Sequence, residues 1–187
     1  MHKLGQGWGI LCWRLREQGL GVTFLWAKDH ALRLLTGMSP PATSRIAPNV
    51  YVGGQQYGRG LGRMANLGIR ASLSLRREAD DQARGVALER HLWLPTTDDA
   101  PPTLEQLRSA SDFIGEALAE GRGVYVHCMS GVGRAATAGA AYLISTGLSA
   151  DEAWATIRRA RPFVRPSDSQ LGVLKEFERS GGAPGQV

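Results

Sequence analysis

His127-Cys128-Met129-Ser130-Gly131-Val132-Gly133-Arg134 sets a cysteine and an arginine six residues apart across a glycine-bearing segment. Val124-Tyr125-Val126 before it reads as a short buried strand, and Ala135 to Ser145 after it as a helix. The segment is then a strand-to-helix loop whose backbone N–H groups gather at a helix N-terminus, where an anion is stabilised. A thiol in that place feels the positive end of the helix dipole, several N–H donors and a guanidinium, all of which favour thiolate. Free cysteine titrates near about 8.5 and such sites bring it down to about 3.5–7.5, so Cys128 is expected to be a thiolate nucleophile at neutral pH. Arg134 offers a planar fork suited to two phosphate oxygens, which lysine could not match. Gly131 and Gly133 are expected to let the backbone curl round the anion through conformations closed to residues with a Cβ. Met129, Ser130, Gly131, Val132, Gly133 and Arg134 are therefore the expected phosphate-binding loop, with His127 fixing it by hydrogen bonds. A buried cysteine at a strand end is more often a small hydrophobe, but the coincidence with the glycines, the arginine and the strand-to-helix context weighs against that reading here.

Displacing an alkoxide or phenoxide from phosphorus also calls for an acid to protonate it. Leu94-Pro95-Thr96-Thr97-Asp98-Asp99-Ala100-Pro101-Pro102-Thr103-Leu104 supplies two carboxylic acids on an upstream loop. At this point a family likeness is plain: HCMSGVGR resembles the HCxxGxxR signature of the cysteine-based protein tyrosine phosphatases, and the size of the chain looks like their dual-specificity branch. The resemblance runs from about Arg45 through Phe177, with Arg45-Ile46-Ala47-Pro48-Asn49-Val50-Tyr51-Val52-Gly53-Gly54 similar to the opening strand of that domain. It implies an α/β fold, a single-domain central sheet flanked by helices, here with a helical N-terminal extension. It also implies a general acid six residues before a leucine that opens the next helix, which matches Asp98 to Leu104 and leaves Asp99 as the lesser alternative.

The implied reaction has two steps. Cys128 attacks phosphorus to give a cysteinyl-phosphate while Asp98 protonates the leaving group, and Arg134 with the loop amides holds the equatorial oxygens; Asp98 then helps water hydrolyse the intermediate. No cofactor and no metal is called for, in keeping with a sequence that shows no ligand cluster at zinc spacing. One departure stands out: the residue after the arginine is commonly Ser or Thr in the family, and here it is Ala135. In family members that hydroxyl stabilises the departing thiolate, so its absence is expected to slow turnover; a phosphate-binding module with vestigial activity is the reading from another class.

The rest of the chain must position these groups. At 187 residues with 43% apolar content it can bury one good core, divided as residues 1–40 (helical extension and linker), 41–180 (catalytic domain) and 181–187 (tail). Thr103-Leu104-Glu105-Gln106, Ser149-Ala150-Asp151-Glu152 and Ser167-Asp168-Ser169-Gln170 have the spacing of capping boxes and mark three helix starts. Gly121 and Pro162 stop the first two helices. Strands are expected near Val50–Val52, Ala71–Leu75, His91–Leu94 and Gly123–His127. Ala135, Ala136, Gly139 and Ala140 make the helix after the loop narrow enough to lie close on the sheet. Two cysteines, Cys12 and Cys128, give no disulfide framework, and a reducing, cytoplasmic compartment suits a catalytic thiolate.

A net charge of +5 favours anionic partners. No stripe of basic residues with stacking aromatics is present, so nucleic acid is not expected. Trp8, Leu11, Cys12 and Leu15, then Phe24, Leu25, Trp26, Leu32 and Leu35, recur at helical spacing, which reads as a helical hairpin packed over the core. The alternative is peripheral membrane contact through residues 1–36, since a basic, Trp-bearing face suits an anionic surface. Phosphotyrosine in proteins, with phosphoserine and phosphothreonine beside it, is the expected substrate class. A phospholipid monoester of the phosphatidylglycerophosphate or phosphoinositide type is the runner-up, because Phe163-Val164-Arg165-Pro166-Ser167 and the residues to Phe177 are similar to the tail of the mitochondrial phosphatidylglycerophosphate phosphatases. The loop's variable positions carry no basic residue to meet additional phosphates. Arg161 and Arg165 could attract an acidic ligand, whereas Arg76, Arg77, Arg158 and Arg159 read as solvated surface.

Overall fold

The computed structural model describes Gly9 and residues 13–181. Trp8, Leu11, Cys12 and the 182–187 tail lie outside the described residues. Five strands form one sheet in the order β1-β2-β5-β3-β4: β1 Arg45–Ala47, β2 Val50–Gly54, β3 Ile69–Arg76, β4 Arg90–Thr96 and β5 Gly123–Cys128. The β1 pairing is antiparallel and the other three are parallel. The central strand β5 is wholly buried and ends on Cys128, which pairs with Gly54 of β2. Cys128 therefore sits where ligands collect in such sheets, at the carboxyl ends of parallel strands.

Alternation along β2 and β5 builds a core on each face. Val50, Val52, Val124 and Val126 join a large cluster with the helices α3 (Leu104–Ala119), α4 (Arg134–Ser145), α5 (Ala150–Ala160) and α6 (Asp168–Arg179). Tyr51 and Tyr125 point the other way, into a smaller cluster with Met38, Met64 and Ile69, covered by the short helix α2 (Leu61–Asn66). The helix starts are those the sequence marks, for Thr103, Ser149 and Ser167 all form reciprocal capping boxes. Gly121, which ends α3, has φ of 74°, a left-handed conformation that costs glycine little. The four expected strands are present; the Arg45–Gly54 segment likened to a single opening strand is two, β1 and β2, and α2 is additional.

The extension forms α1 (Gly19–Thr36), preceded by a helical turn at 13–17. It does not pack as the sequence pattern predicts. Leu25, Trp26 and Leu32 are half-buried and Phe24 and Leu35 are exposed, while the side chains α1 buries are polar: Thr23, Asp29 and Arg33. Asp29 and Arg33 have partners waiting in the linker and in the chain beyond it, and those partners set the helix's rotation. Asp29 accepts from Ser39 Oγ (3.2 Å) and Thr43 Oγ1 (2.7 Å), and Arg33 Nη1 donates to Gln55 O (3.1 Å).

Candidate active site

The loop 128–134 wraps backward over the end of β5. Gly131 N donates to Cys128 Sγ at 3.3 Å, and this is the hydrogen bond given to that sulfur among the described residues. Gly131 has φ of 71°, and a Cβ there would stand 2.2 Å from the carbonyl carbon of Gly53, so glycine is required for both conformation and space. Gly133 differs from the expectation. Its φ is −121°, outside the left-handed region, and an added Cβ would meet only the side-chain amide of Gln170, with Oε1 at 2.9 Å, which would have to shift. Gly133 is also the uncapped residue before α4, so the first amides of that helix remain free to face an anion. α4 lies as close to the sheet as its small residues allow: Ala135, Ala136 and Ala140 are fully buried, and a Cβ on Gly139 would meet Val52 at 2.6 Å.

Arg134 is 1% exposed, and most of its fork is taken by protein acceptors. Glu78 grips it with both oxygens, at 3.0 Å from Nη1 and 3.1 Å from Nη2. Nη1 also faces the carbonyls of Leu75 (3.2 Å) and Thr96 (2.8 Å). Nη2 is 2.7 Å from Asp98 Oδ1, and the Asp98 side chain is 75% exposed. Nε is buried and has no acceptor among the described residues. An orphan buried donor is costly, and Nε with Nη2 forms the edge of the fork that could take two oxygens of a phosphate. The bond to Arg134 pulls the Glu78 pKa down to about 2. Burial alone would lower the Arg134 pKa, but the Glu78 bond and the nearby charges of Cys128 and Asp98 outweigh it and raise it.

The structure thus brings Cys128, the loop 129–133, Arg134 and Asp98 together, and it separates the two carboxylates of the upstream loop. Asp99 has φ of 57° and its carbonyl is bound by Ser167 Oγ at 3.0 Å, so its backbone pins the loop to α6 while Asp98 faces the arginine.

These features agree with what comparison finds. Residues 50–180 match the family model of the dual specificity phosphatase catalytic domain. The chain belongs to the dual-specificity phosphatase family. It is 31% identical over 153 residues to human dual specificity protein phosphatase 9, covering 77% of this chain and 40% of that protein, so the chain spans about two fifths of that relative's length. A crystal structure of PTPMT1 in complex with PI(5)P is 30% identical, with a TM-score of 0.67, over 73% of this chain and 94% of that one. The structure of Tk-PTP in the active form is 32% identical, also at 0.67, over 74% and 97%. The mixed α/β architecture with helices flanking a central sheet is that of these phosphatases.

Within this dual-specificity phosphatase domain, His127 is the support of the loop that the sequence marks, whereas Glu78, Asp81 and Arg161 were not among the expected site residues. His127 is fully buried, with Nε2 2.7 Å from Asp81 Oδ2, a charge-pairing distance that lies off the line of a well-directed hydrogen bond. Burial by itself would raise the Asp81 pKa, yet His127, His91 and Arg84 together hold it below the ordinary value. Arg161, expected as a ligand-attracting surface residue, is instead 0% exposed. Its Nε donates to Gly131 O (3.0 Å), Nη2 reaches Ser130 O (3.5 Å), and Nη1 reaches Thr43 O (2.6 Å) and Asp29 Oδ1 (3.4 Å). Arg165 lies 3.8 Å over the Trp13 ring. Arg76, expected on the surface, is buried and bonded to Gln55 and Glu78. Ala135 has no hydroxyl to offer, and Thr137 does not replace it: its Oγ1 is spent on Gly133 O at 3.2 Å. The N-terminal helix is therefore wired to the loop 128–134 through Asp29 and Arg161, and to Gln55, whose N–H bonds Met129 O at 3.2 Å, through Arg33.

Proposed function

We propose that the chain hydrolyses phosphomonoesters through a cysteinyl-phosphate, acting on phosphotyrosine in proteins and also on phosphoserine and phosphothreonine. The observation that carries this is the meeting of a strand-end cysteine, a buried arginine with an unused Nε, and an exposed carboxyl group 2.7 Å from that arginine. In the first step a Cys128 lone pair forms the S–P bond as the P–O bond breaks, and Asp98 gives its proton to the departing oxygen. Arg134 Nε and Nη2 with the loop amides take the equatorial oxygens, and Asp98 leaves the arginine as the phosphate arrives. In the second step water attacks phosphorus, the S–P bond breaks, and the Asp98 carboxylate takes the water's proton. The sulfur leaves with the Gly131 amide as its nearest donor, so the second step is the slow one. Glu78 acts as a positioning residue, keeping the fork in the plane the phosphate needs.

Protein substrates are supported by the similarity to dual specificity protein phosphatase 9. A phospholipid monoester is the second reading, supported by the similarity to PTPMT1, which is seen in complex with PI(5)P. Phosphate release from phosphotyrosine and phosphothreonine peptides, phosphatidylglycerophosphate and monophosphorylated phosphoinositides, with Cys128→Ser as blank, separates the two. Acid quenching during turnover, followed by phosphorus NMR, should trap a thiophosphate ester on Cys128. Absence of Cys128-dependent release from every substrate would leave a phosphate-binding module.

A further inference from the structure

The N-terminal helix is built inside out. Its most buried side chains are Thr23, Asp29 and Arg33, whereas Leu20, Phe24 and Leu35 are 80%, 67% and 74% exposed. Leu20, Phe24, Ala27, Ala31, Leu34 and Leu35 are all exposed, and at 3.6 residues per turn they fall within about 100° of arc. They form one apolar stripe along α1. An apolar face of this kind on a folded domain marks a surface that meets something else.

The charge around the stripe is mainly basic, with Glu17 at its N-terminal end as the exposed carboxylate beside it. Between Glu17 and Glu78 the sequence contains a single carboxylate, Asp29, and that one is buried against Arg161. Over the same span Lys28, Arg45, Arg59 and Arg63 are exposed. Lys28 borders the stripe on the helix itself, and Arg63 stands with Leu32 and Thr36 around a small cleft at its C-terminal end. A second copy docking stripe to stripe would bring Lys28 and Arg63 close to their own kind, with Glu17, at the opposite end of the helix from Arg63, as the exposed carboxylate beside the stripe. An anionic surface that also offers hydrocarbon satisfies both halves of the pattern.

We propose that α1 docks on an anionic phospholipid surface, with Leu20, Phe24 and Leu35 in the boundary between headgroups and acyl chains and Lys28 and Arg63 against lipid phosphates. The helix lies on the surface; among the described residues none is long and apolar enough to cross a membrane. Its buried face grips the phosphate loop through Asp29 and Arg161 and the Gln55 carbonyl through Arg33. Docking therefore fixes the catalytic domain at the surface, whichever phosphomonoester it hydrolyses there.

The test is flotation of the full chain with phosphatidylcholine vesicles, with and without phosphatidylglycerol as a minor component, at rising salt. Binding is expected only with the anionic vesicles and should fall as salt rises. Leu20→Gln/Phe24→Gln/Leu35→Gln should lower the bound fraction at least about tenfold, and Lys28→Glu/Arg63→Glu should do the same without touching the stripe. Thermal unfolding confirms that each variant is folded, and hydrolysis of a soluble aryl phosphate should stay at the parental rate, so the result stands apart from the substrate reading. No binding, equal binding to neutral vesicles, or undiminished binding by the triple variant would overturn the proposal. So would a solution dimer abolished by the triple variant, or retention on polyglutamate, in place of vesicle binding.

Discussion

Asp29 lies outside the segment that matches the family model, yet its carboxylate is the one that faces the buried Arg161 guanidinium. Asp29→Ala would leave a cation that is 0% exposed without a counter-charge. Breaking one side of a buried ion pair costs about 3–5 kcal/mol. The lower end applies, because the 3.4 Å contact is long and Arg161 keeps the carbonyls of Gly131, Ser130 and Thr43. Two further bonds, from Ser39 and Thr43, go with the carboxylate. About 3 kcal/mol is a large share of a typical stability of about 5–15 kcal/mol, and for a chain of this size it lowers Tm by about 6–12 °C. The loss should also reach chemistry, since Arg161 is what holds the carbonyls of Ser130 and Gly131, and the Gly131 amide is the donor to Cys128 Sγ. The assay is thermal unfolding together with kcat and KM for an aryl phosphate at a temperature where the variant is folded. Asp29→Asn, which keeps the shape and the acceptor, should recover part of both losses. A cycle with Arg161→Met should give a coupling of about 1–3 kcal/mol. A Tm within a degree of the parent with unchanged kcat, or a coupling below about 0.5 kcal/mol, would refute the wiring.

Asp98→Asn should lower kcat on aryl phosphates by about 10²–10⁴ and remove the high-pH limb of the profile, since an acid must hold its proton to act; leaving groups that need no proton should show a smaller loss. Glu78→Gln should raise KM and weaken inhibition by inorganic phosphate as the Arg134 fork loosens. The folded Glu78 pKa is depressed from 4.5 to about 2, so its stabilisation is fully present above the unfolded value and is lost as pH falls through the folded one. Parent and variant should therefore converge in stability between those two values, and with a side chain 39% exposed the gap at neutral pH should stay below about 1 kcal/mol. Gly131→Ala should cost at least about 2 kcal/mol and abolish turnover, because its φ and the Gly53 backbone both refuse a Cβ. Ala135→Ser should speed breakdown of the thiophosphate intermediate and enlarge steady-state kcat without changing the first-turnover burst.

What was legible in the sequence is what neighbouring residues decide. The capping boxes of α3, α5 and α6, the short apolar runs of β2 and β5 and the strand-loop-helix around Cys128 are patterns of a few adjacent positions, and they fold as written. The choice of Asp98 over Asp99 rests on a family spacing; in the structure Asp98 stands beside Arg134, and the left-handed Asp99 has its carbonyl tied to Ser167. Glu78 and Asp81 gave no such signal. They sit in an irregular turn after β3, and their partners lie 56 and 46 residues further along, in Arg134 and His127. No periodicity links such positions, and only the crossover that brings β5 between β2 and β3 puts them together.

The extension shows why a hydrophobic pattern can be read correctly and still mislead. Phe24, Leu35 and their neighbours do share one face of a helix, and burying that face would ordinarily fix its rotation. Here the opposite face carries Asp29, and turning it outward would strand Arg161 in the interior without a counter-charge, at a cost comparable to leaving one or two large apolar side chains in water. Pairing over a distance of 132 residues decides the rotation, and the apolar stripe is left facing out. A phosphatase core lacking residues 13–43 would expose Arg161 to that same deficit and lose the donors from Ser39 and Thr43 together with their acceptor. The phosphate loop of this chain is thus completed from outside the family domain, and changes on α1's buried face should be felt at Cys128 even though no atom of that helix is part of the loop.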